Sequence, residues 1–248
     1  MAVRVTTFAV LLTALMAIAP SGTSAYINAG FKSEAEARAY YKRQRDEKAS
    51  QAAAQLGVLN AAITRDPEDA VAYYQRAKFH TEFSHLNQRL ALADFDAAIR
   101  LKPDFTKALS RRAAVLAAMR DYARSAADLT EALRQDPKAA DIKLRLAMLY
   151  YASPDEAVRD LGKSRQLVEE LVASGEKPVP AHLDLLAAVC AELGDFESAV
   201  KWEARRLQGQ PASVAAQAGR IDAYKRGEFT PEIRARLTGG LLHQDPPN

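Results

Sequence analysis

Residues 61–67 read AAITRDP, residues 97–103 read AAIRLKP, and residues 131–137 read EALRQDP. The closing prolines, Pro67, Pro103 and Pro137, stand 36 and 34 residues apart. A fixed spacing of this size marks one supersecondary unit written several times. Five residues before each proline come Ala62, Ala98 and Ala132; eight before come Leu59, Phe95 and Leu129; twelve before come Gln55, Ala91 and Ser125. Steps of three and four place these residues on one face of a helix, with small side chains where a neighbouring backbone must approach and a large one filling the gap. After the prolines, Tyr73, Leu109 and Lys143 fall at the sixth place, Ala77, Ala113 and Ala147 at the tenth, and His80, Leu116 and Tyr150 at the thirteenth. That is a second helix with its own apolar face. The proline separates the two, because its missing N–H and fixed φ stop one helix from running into the next. A hairpin of this kind cannot bury its apolar face alone, so stacking must complete the core.

The runs Leu109, Ala113, Leu116, Ser125, Leu129, Ala132, Pro137 and Tyr73, Ala77, His80, Ala91, Phe95, Ala98, Pro103 resemble the tetratricopeptide repeat, whose pattern of aromatic, small, large and proline positions has this period. Alanine stands at 77, 113 and 147 where the family usually has glycine; both are small. The resemblance implies an all-α fold, a right-handed superhelical solenoid of stacked helix-turn-helix hairpins. The longer first interval reads as two extra residues in the turn around Ser84 to Gln88. Beyond Pro137, Ser153 reads as an N-cap with Pro154 at the first helical position and Glu156 closing a capping box. Residues 180–208 restore the hairpin, with Gly194-Asp195 at its turn and Ala187, Cys190 and Ala199 in core places. The segment from SPDEAVRD through GDFESAVKW to RIDAYKRGE resembles a terminal variant of exported bacterial family members.

Outside the repeats, Ser33 and Glu36 form a capping box for a helix reaching about Thr64. SVAAQAGRIDAYKRG reads as a closing helix stopped by Gly227. The front of the chain has one early charge, Arg4, then an uncharged run from Val5 to Pro20 and the small residues Thr23, Ser24 and Ala25. This is the pattern of a secretory signal peptide cleaved after Ala25, and its apolar run is short for a membrane span, which needs about 20 apolar residues. The organisation expected is a signal peptide over 1–25, a long helix or half-repeat over 26–66, about four hairpins over 67–211, and a closing helix and tail over 212–248. Export, with the periplasm ahead of the extracellular space, follows from the leader.

The formal net charge is +3, falling to +2 without Arg4. So small an excess implies neither nucleic acid nor an anionic membrane as partner. Cys190 is the single cysteine, so no internal disulfide is available and stability must come from helix packing. His80 and His182 fall on repeat helices, His85 in a turn and His243 in the tail, an arrangement with no metal-site spacing. Cys190 lies among Leu, Ala and Val at a core offset and reads as a small buried hydrophobe. No phosphate-binding glycine loop and no hydrolase or zinc-protease motif occurs, so no cofactor and no catalysis is expected. Arg76 and Arg112 lie nine residues after a proline, and Asp94 and Asp128 nine before one. They read as salt bridges between the two helices of a hairpin.

The resemblance implies a concave groove lined by the first helix of each hairpin. The offsets beside the core face supply Tyr74, Gln75 and Lys78, then Lys107, Ser110 and Arg111, then Asp141, Leu144, Arg145 and Met148. Lys78, Arg111 and Arg145 form a basic ladder, with Tyr74, Leu144 and Met148 as apolar neighbours. These residues point to a non-enzymatic scaffold that binds a peptide or protein segment carrying carboxylates. No asparagine occurs at these offsets, so the paired lysine and asparagine clamp of chaperone-binding family members is not supported. Two rival readings are an envelope enzyme or glycan-binding factor, with its site in the groove or residues 153–180, and a self-associating structural spacer.

Overall fold

The computed structural model describes residues 33–83, 87–174, 179–208 and 215–229. The expected leader, His85, His243, the tail and most of the turn around Ser84 to Gln88 lie outside these. Among the described residues all regular structure is α-helical, in ten helices: α1 (Glu34–Arg65), α2 (Ala70–Phe83), α3 (Gln88–Leu101), α4 (Thr106–Ala118), α5 (Tyr122–Gln135), α6 (Ala140–Ala152), α7 (Leu161–Ala173), α8 (Pro180–Glu192), α9 (Phe196–Leu207) and α10 (Ala215–Lys225). None of them is long and apolar enough to cross a membrane.

The repeated turns have repeated chemistry. At the ends of α1, α3 and α5 the residue before each proline donates its backbone N–H to the alanine carbonyl four residues back: Asp66 to Ala62 at 2.9 Å, Lys102 to Ala98 at 2.9 Å, and Asp136 to Ala132 at 3.0 Å. The aspartates also accept from the chain ahead, Asp66 Oδ1 from Glu68 N at 3.0 Å and Asp136 Oδ1 from Lys138 N at 3.1 Å. Asp69 then opens α2, its Oδ1 accepting from Val71 N and Ala72 N. Such side-chain acceptors satisfy N–H groups that the first turn of a helix leaves unpaired. Ser33 does the same for α1, accepting from Glu36 N at 3.2 Å.

A second kind of turn follows α4, α8 and α10. Asp121 N reaches Leu116 O at 2.8 Å, Asp195 N reaches Cys190 O at 2.9 Å, and Glu228 N reaches Ala223 O at 2.9 Å. This closure needs a residue with positive φ. Gly194 (φ +80°) and Gly227 (φ +73°) supply it, whereas after α4 the place is held by Arg120 (φ +65°).

The chain divides into two compact units, Met1–Val115 and Leu116–Asn248. In the first, α1 packs on α2 and α2 on α3. Its core joins Ala77, Ala91, Phe95, Ala98, Ala108 and Val115, with Ala52 and Phe79 in a smaller cluster beneath α1. Burying Phe95 alone contributes about 1.5–3 kcal/mol, and fully buried alanines on three helices let the backbones close around it. In the second unit α5 to α10 pack in succession, and the core joins Ala147 and Tyr151 to Val168, most of α8, Ala199 and Tyr224.

One local expectation is overturned. Ser153 does not begin a helix; it ends α6, its N–H donating to Leu149 O at 3.0 Å. Its hydroxyl accepts from Asp155 N, and Asp155 O receives Val158 N and Arg159 N in a single isolated turn. The true cap is Asp160, which accepts from Lys163 N at 2.9 Å and opens α7. That hydrogen bond, with the Lys163 ammonium beside it, holds the Asp160 carboxyl below its ordinary value. Asp160 therefore stays ionised where a helix N-terminus favours negative charge.

Candidate functional site

On α2, Val71, Tyr74, Gln75 and Lys78 recur at steps of three and four and share one face. Val71 is 51% exposed, although it is a large apolar residue. Tyr74 is half-buried, its ring 4.8 Å from that of Phe105 and 6.1 Å from that of Phe95. Lys78 and Arg111 are half-buried, and neither makes an ion pair among the described residues; Lys107 is exposed. In the second unit Leu144, Arg145 and Met148 are half-buried on α6, and Leu144 and Met148 rest on the core. Tyr74, Lys78 and Arg111 thus fall in one unit and Leu144, Arg145 and Met148 in the other.

Behind the α2 face lies a polar node. Arg76 donates to Asp94 twice, Nε to Oδ2 at 2.8 Å and Nη2 to Oδ1 at 2.6 Å, and Nη1 donates to Asn60 Oδ1 at 2.9 Å. One guanidinium therefore ties α1, α2 and α3, and the bonds to Asp94 raise its pKa against the opposing cost of burial. The expected Arg76 and Asp94 bridge is present. His80 sits beside it, buried, with Nε2 3.7 Å from Asp94 Oδ2. Burial lowers the His80 pKa; Asp94 opposes the shift and Arg76 adds to it. Arg112, the equivalent residue on α4, donates Nη1 to Asp96 Oδ1 at 2.7 Å.

A second charged cluster was not anticipated from sequence. Glu203 on α9 is fully buried. Its Oε1 accepts from Arg206 Nη2 at 2.6 Å, and its Oε2 accepts from Arg206 Nε and from Arg220 Nη2, each at 3.1 Å. Arg220 Nη1 lies 2.8 Å from Asp184 Oδ1 and Arg206 Nε 3.5 Å from the same oxygen. Two cations and two carboxylates thus join α8, α9 and α10. Burial works against the Arg220 charge, and Asp184, Tyr224 and Glu203 together outweigh it. A sequence signal for this cluster exists. Counted back from Pro211, Glu203 holds the large-apolar place of Phe95 and Leu129, and Arg206 holds the small place of Ala98 and Ala132.

Among the described residues no group of three or more His, Cys, Asp or Glu side chains could hold a metal ion. Cys190 is fully buried, and burial pushes its thiol up to about 11. At neutral pH it is a packed hydrophobe rather than a thiolate. A cavity of about 300 Å³ opens beside α10, lined by Phe196, Glu197, Val200, Tyr224 and Lys225.

No family model matches the chain. It is 38% identical over 77 residues to Hsp70-Hsp90 organizing protein 3 of Arabidopsis thaliana, covering 31% of this chain and 13% of that protein. To the TPR repeat-containing thioredoxin TTL4 of the same plant it is 31% identical over 150 residues, covering 56% of this chain and 21% of that protein. The chain therefore spans only a small part of the length of the curated relatives it matches. Among solved structures, YrrB, described as a TPR protein with an unusual peptide-binding site, superposes with a TM-score of 0.56 at 19% identity, covering 74% of this chain and 90% of that one. Repeat spacing, recurring turns and this superposition agree that the fold is that of the tetratricopeptide-repeat solenoids.

Proposed function

We propose that the chain is a non-catalytic interaction scaffold that holds an acidic peptide or protein segment against the first helices of its hairpins, outside the cytoplasm. One observation carries the reading. The half-buried cations Arg76, Arg112, Lys143, Arg159, Arg165 and Arg220 each lie within ion-pair distance of a carboxylate. Lys78 and Arg111 are half-buried too, yet have no such partner among the described residues. A partly desolvated cation without a counterion is costly to keep, and a ligand carboxylate recovers that cost on binding. Both lie beside the core face of a first helix, Lys78 eleven residues after Pro67 and Arg111 eight after Pro103. In the second unit Leu144, Arg145 and Met148 on α6 hold the offsets of Tyr74, Arg111 and Lys78. The names of the relatives are of one kind with this reading, since one is an Hsp70-Hsp90 organizing protein and YrrB is described as having a peptide-binding site.

The test is to pan the protein and its Lys78→Glu, Arg111→Glu double variant against a random peptide display library. The parent is expected to enrich acidic peptides and the folded double variant to lose them. Enrichment of peptides without carboxylates, or acidic peptides retained by the variant, would refute the reading. For the location, the protein recovered from the cell envelope should begin at Tyr26; an intact Met1 would refute export by cleavage.

A further inference from the structure

Resting on the binding face just proposed, we infer that the unit Met1–Val115 selects an extended segment carrying an apolar side chain two residues away from a carboxylate. Val71, Tyr74 and Lys78 occupy one face of α2 at successive steps of three and four. The face is apolar at its N-terminal end, where Val71 is 51% exposed, and cationic at its C-terminal end, where Lys78 has no ion pair among the described residues. Tyr74, between them, is held by the rings of Phe95 and Phe105 at 6.1 and 4.8 Å, so its uncovered edge is a fixed shelf rather than a swinging arm. Arg111 on α4 adds a second cation without an ion-pair partner among the described residues.

The spacing selects the ligand geometry. Tyr74 and Lys78 are one helical turn apart, about 6 Å along the axis. In an extended segment, side chains at i and i+2 point the same way and lie about 6.6 Å apart. A segment with an apolar residue at i and Asp or Glu at i+2 therefore sets one side chain on the Val71 and Tyr74 shelf while its carboxylate meets Lys78. A helical segment with these residues four apart has a similar reach, but a short helix in water is marginal because its first turn is costly to nucleate. The extended form needs no such nucleus.

The test uses short synthetic peptides in a Gly-Ser background, blocked at both ends, titrated into the full chain and followed by NMR. One peptide carries Asp alone; three carry Phe and Asp with one, two or three residues between them. The peptide with one intervening residue is expected to bind about tenfold more tightly than the other three, the effect of burying one apolar side chain. Val71→Ser, which takes away the exposed apolar end of the shelf, should remove that preference. An optimum at a wider spacing, or a preference that survives Val71→Ser, overturns the inference. If all acidic peptides bind alike and Lys78→Glu abolishes them, the binding face stands and only the spacing fails; if no acidic peptide binds, both fail.

Discussion

Replacing Glu203 by Gln keeps the shape of the side chain and removes its charge, which isolates what the carboxylate does. Glu203 is fully buried and is the nearest acceptor for Arg206, at 2.6 and 3.1 Å, and for one nitrogen of Arg220, at 3.1 Å. Without it, two largely buried guanidinium groups must share Asp184, 2.8 Å from Arg220 and 3.5 Å from Arg206. Breaking a buried ion pair by removing one partner costs about 3–5 kcal/mol. Because Asp184 remains and is itself partly exposed, the loss should lie at the lower end, about 3 kcal/mol. That is a large fraction of the about 5–15 kcal/mol that holds an ordinary domain together.

The double change Glu203→Leu, Arg206→Ala should behave differently, because it writes the repeat's own large and small residues back into the register. Buried pairs replaced by apolar residues are often neutral or stabilising. Urea unfolding followed by the fluorescence of Trp202, the only tryptophan and the neighbour of Glu203, reads this unit directly. A loss below about 1 kcal/mol for the single variant, or a double variant less stable than the single one, would refute the account of a buried network.

Three further outcomes follow from the packing. Ala132 is fully buried on α5, so Ala132→Leu should overpack the unit and cost about 1–3 kcal/mol in urea unfolding; an unchanged midpoint would mean the register is misplaced. Arg120 holds a left-handed backbone that costs a side chain about 1–2 kcal/mol, more than the entropy glycine loses, so Arg120→Gly should raise the thermal midpoint, and a lower midpoint would show that its side chain does more than tolerate the turn. His80 has a folded-state pKa below its ordinary 6.5, so the unfolded chain binds the proton more readily; stability should be full above that value and decline as pH falls through and below it. Comparing unfolding midpoints at neutral and acid pH for the parent and for His80→Leu checks this, since the variant should lose that part of the dependence. Asp94 and Arg76 are the charged groups acting on His80, and Asp94 limits the size of the effect.

The hairpins were legible because their signal is steric and repeats. Ala77, Ala91, Phe95, Ala98, Ala113, Leu129 and Ala132 occupy the small and large places read from the spacing, and all are buried. The same rule fails toward the N-terminus, where Gln55 is exposed and Leu59 and Ala62 are only half-buried. There α1 packs on α2, and nothing in a count of offsets says how many neighbours a helix will have. The start of α7 was misread because Ser153, Pro154 and Glu156 imitate a capping box. The helix is marked instead by Ser164, Val168 and Leu171 at steps of four and three. All three are buried, and Ser164 Oγ donates to Ala147 O at 2.8 Å, which is the close contact that a small residue permits.

Charge inside a repeat is harder to read than size, because its meaning lies in its partners. Arg76 and Lys78 stand two residues apart on α2, nine and eleven residues after Pro67, and only the first offset recurs as an arginine with an aspartate nine before the next proline. Arg76 turns inward to Asp94 and Asn60 and binds three helices together. Lys78 lies on the face shared with Val71 and Tyr74 and has no carboxylate partner among the described residues. Glu203 and Arg206 show the same logic from the other side, since they occupy core places yet are satisfied by one another and by Arg220. Where partners are present, a charge sets helix pairing, and removing it should cost stability. Where they are absent on an accessible face, the unspent interaction is available to a ligand, and reversing the charge should alter binding while leaving the fold intact.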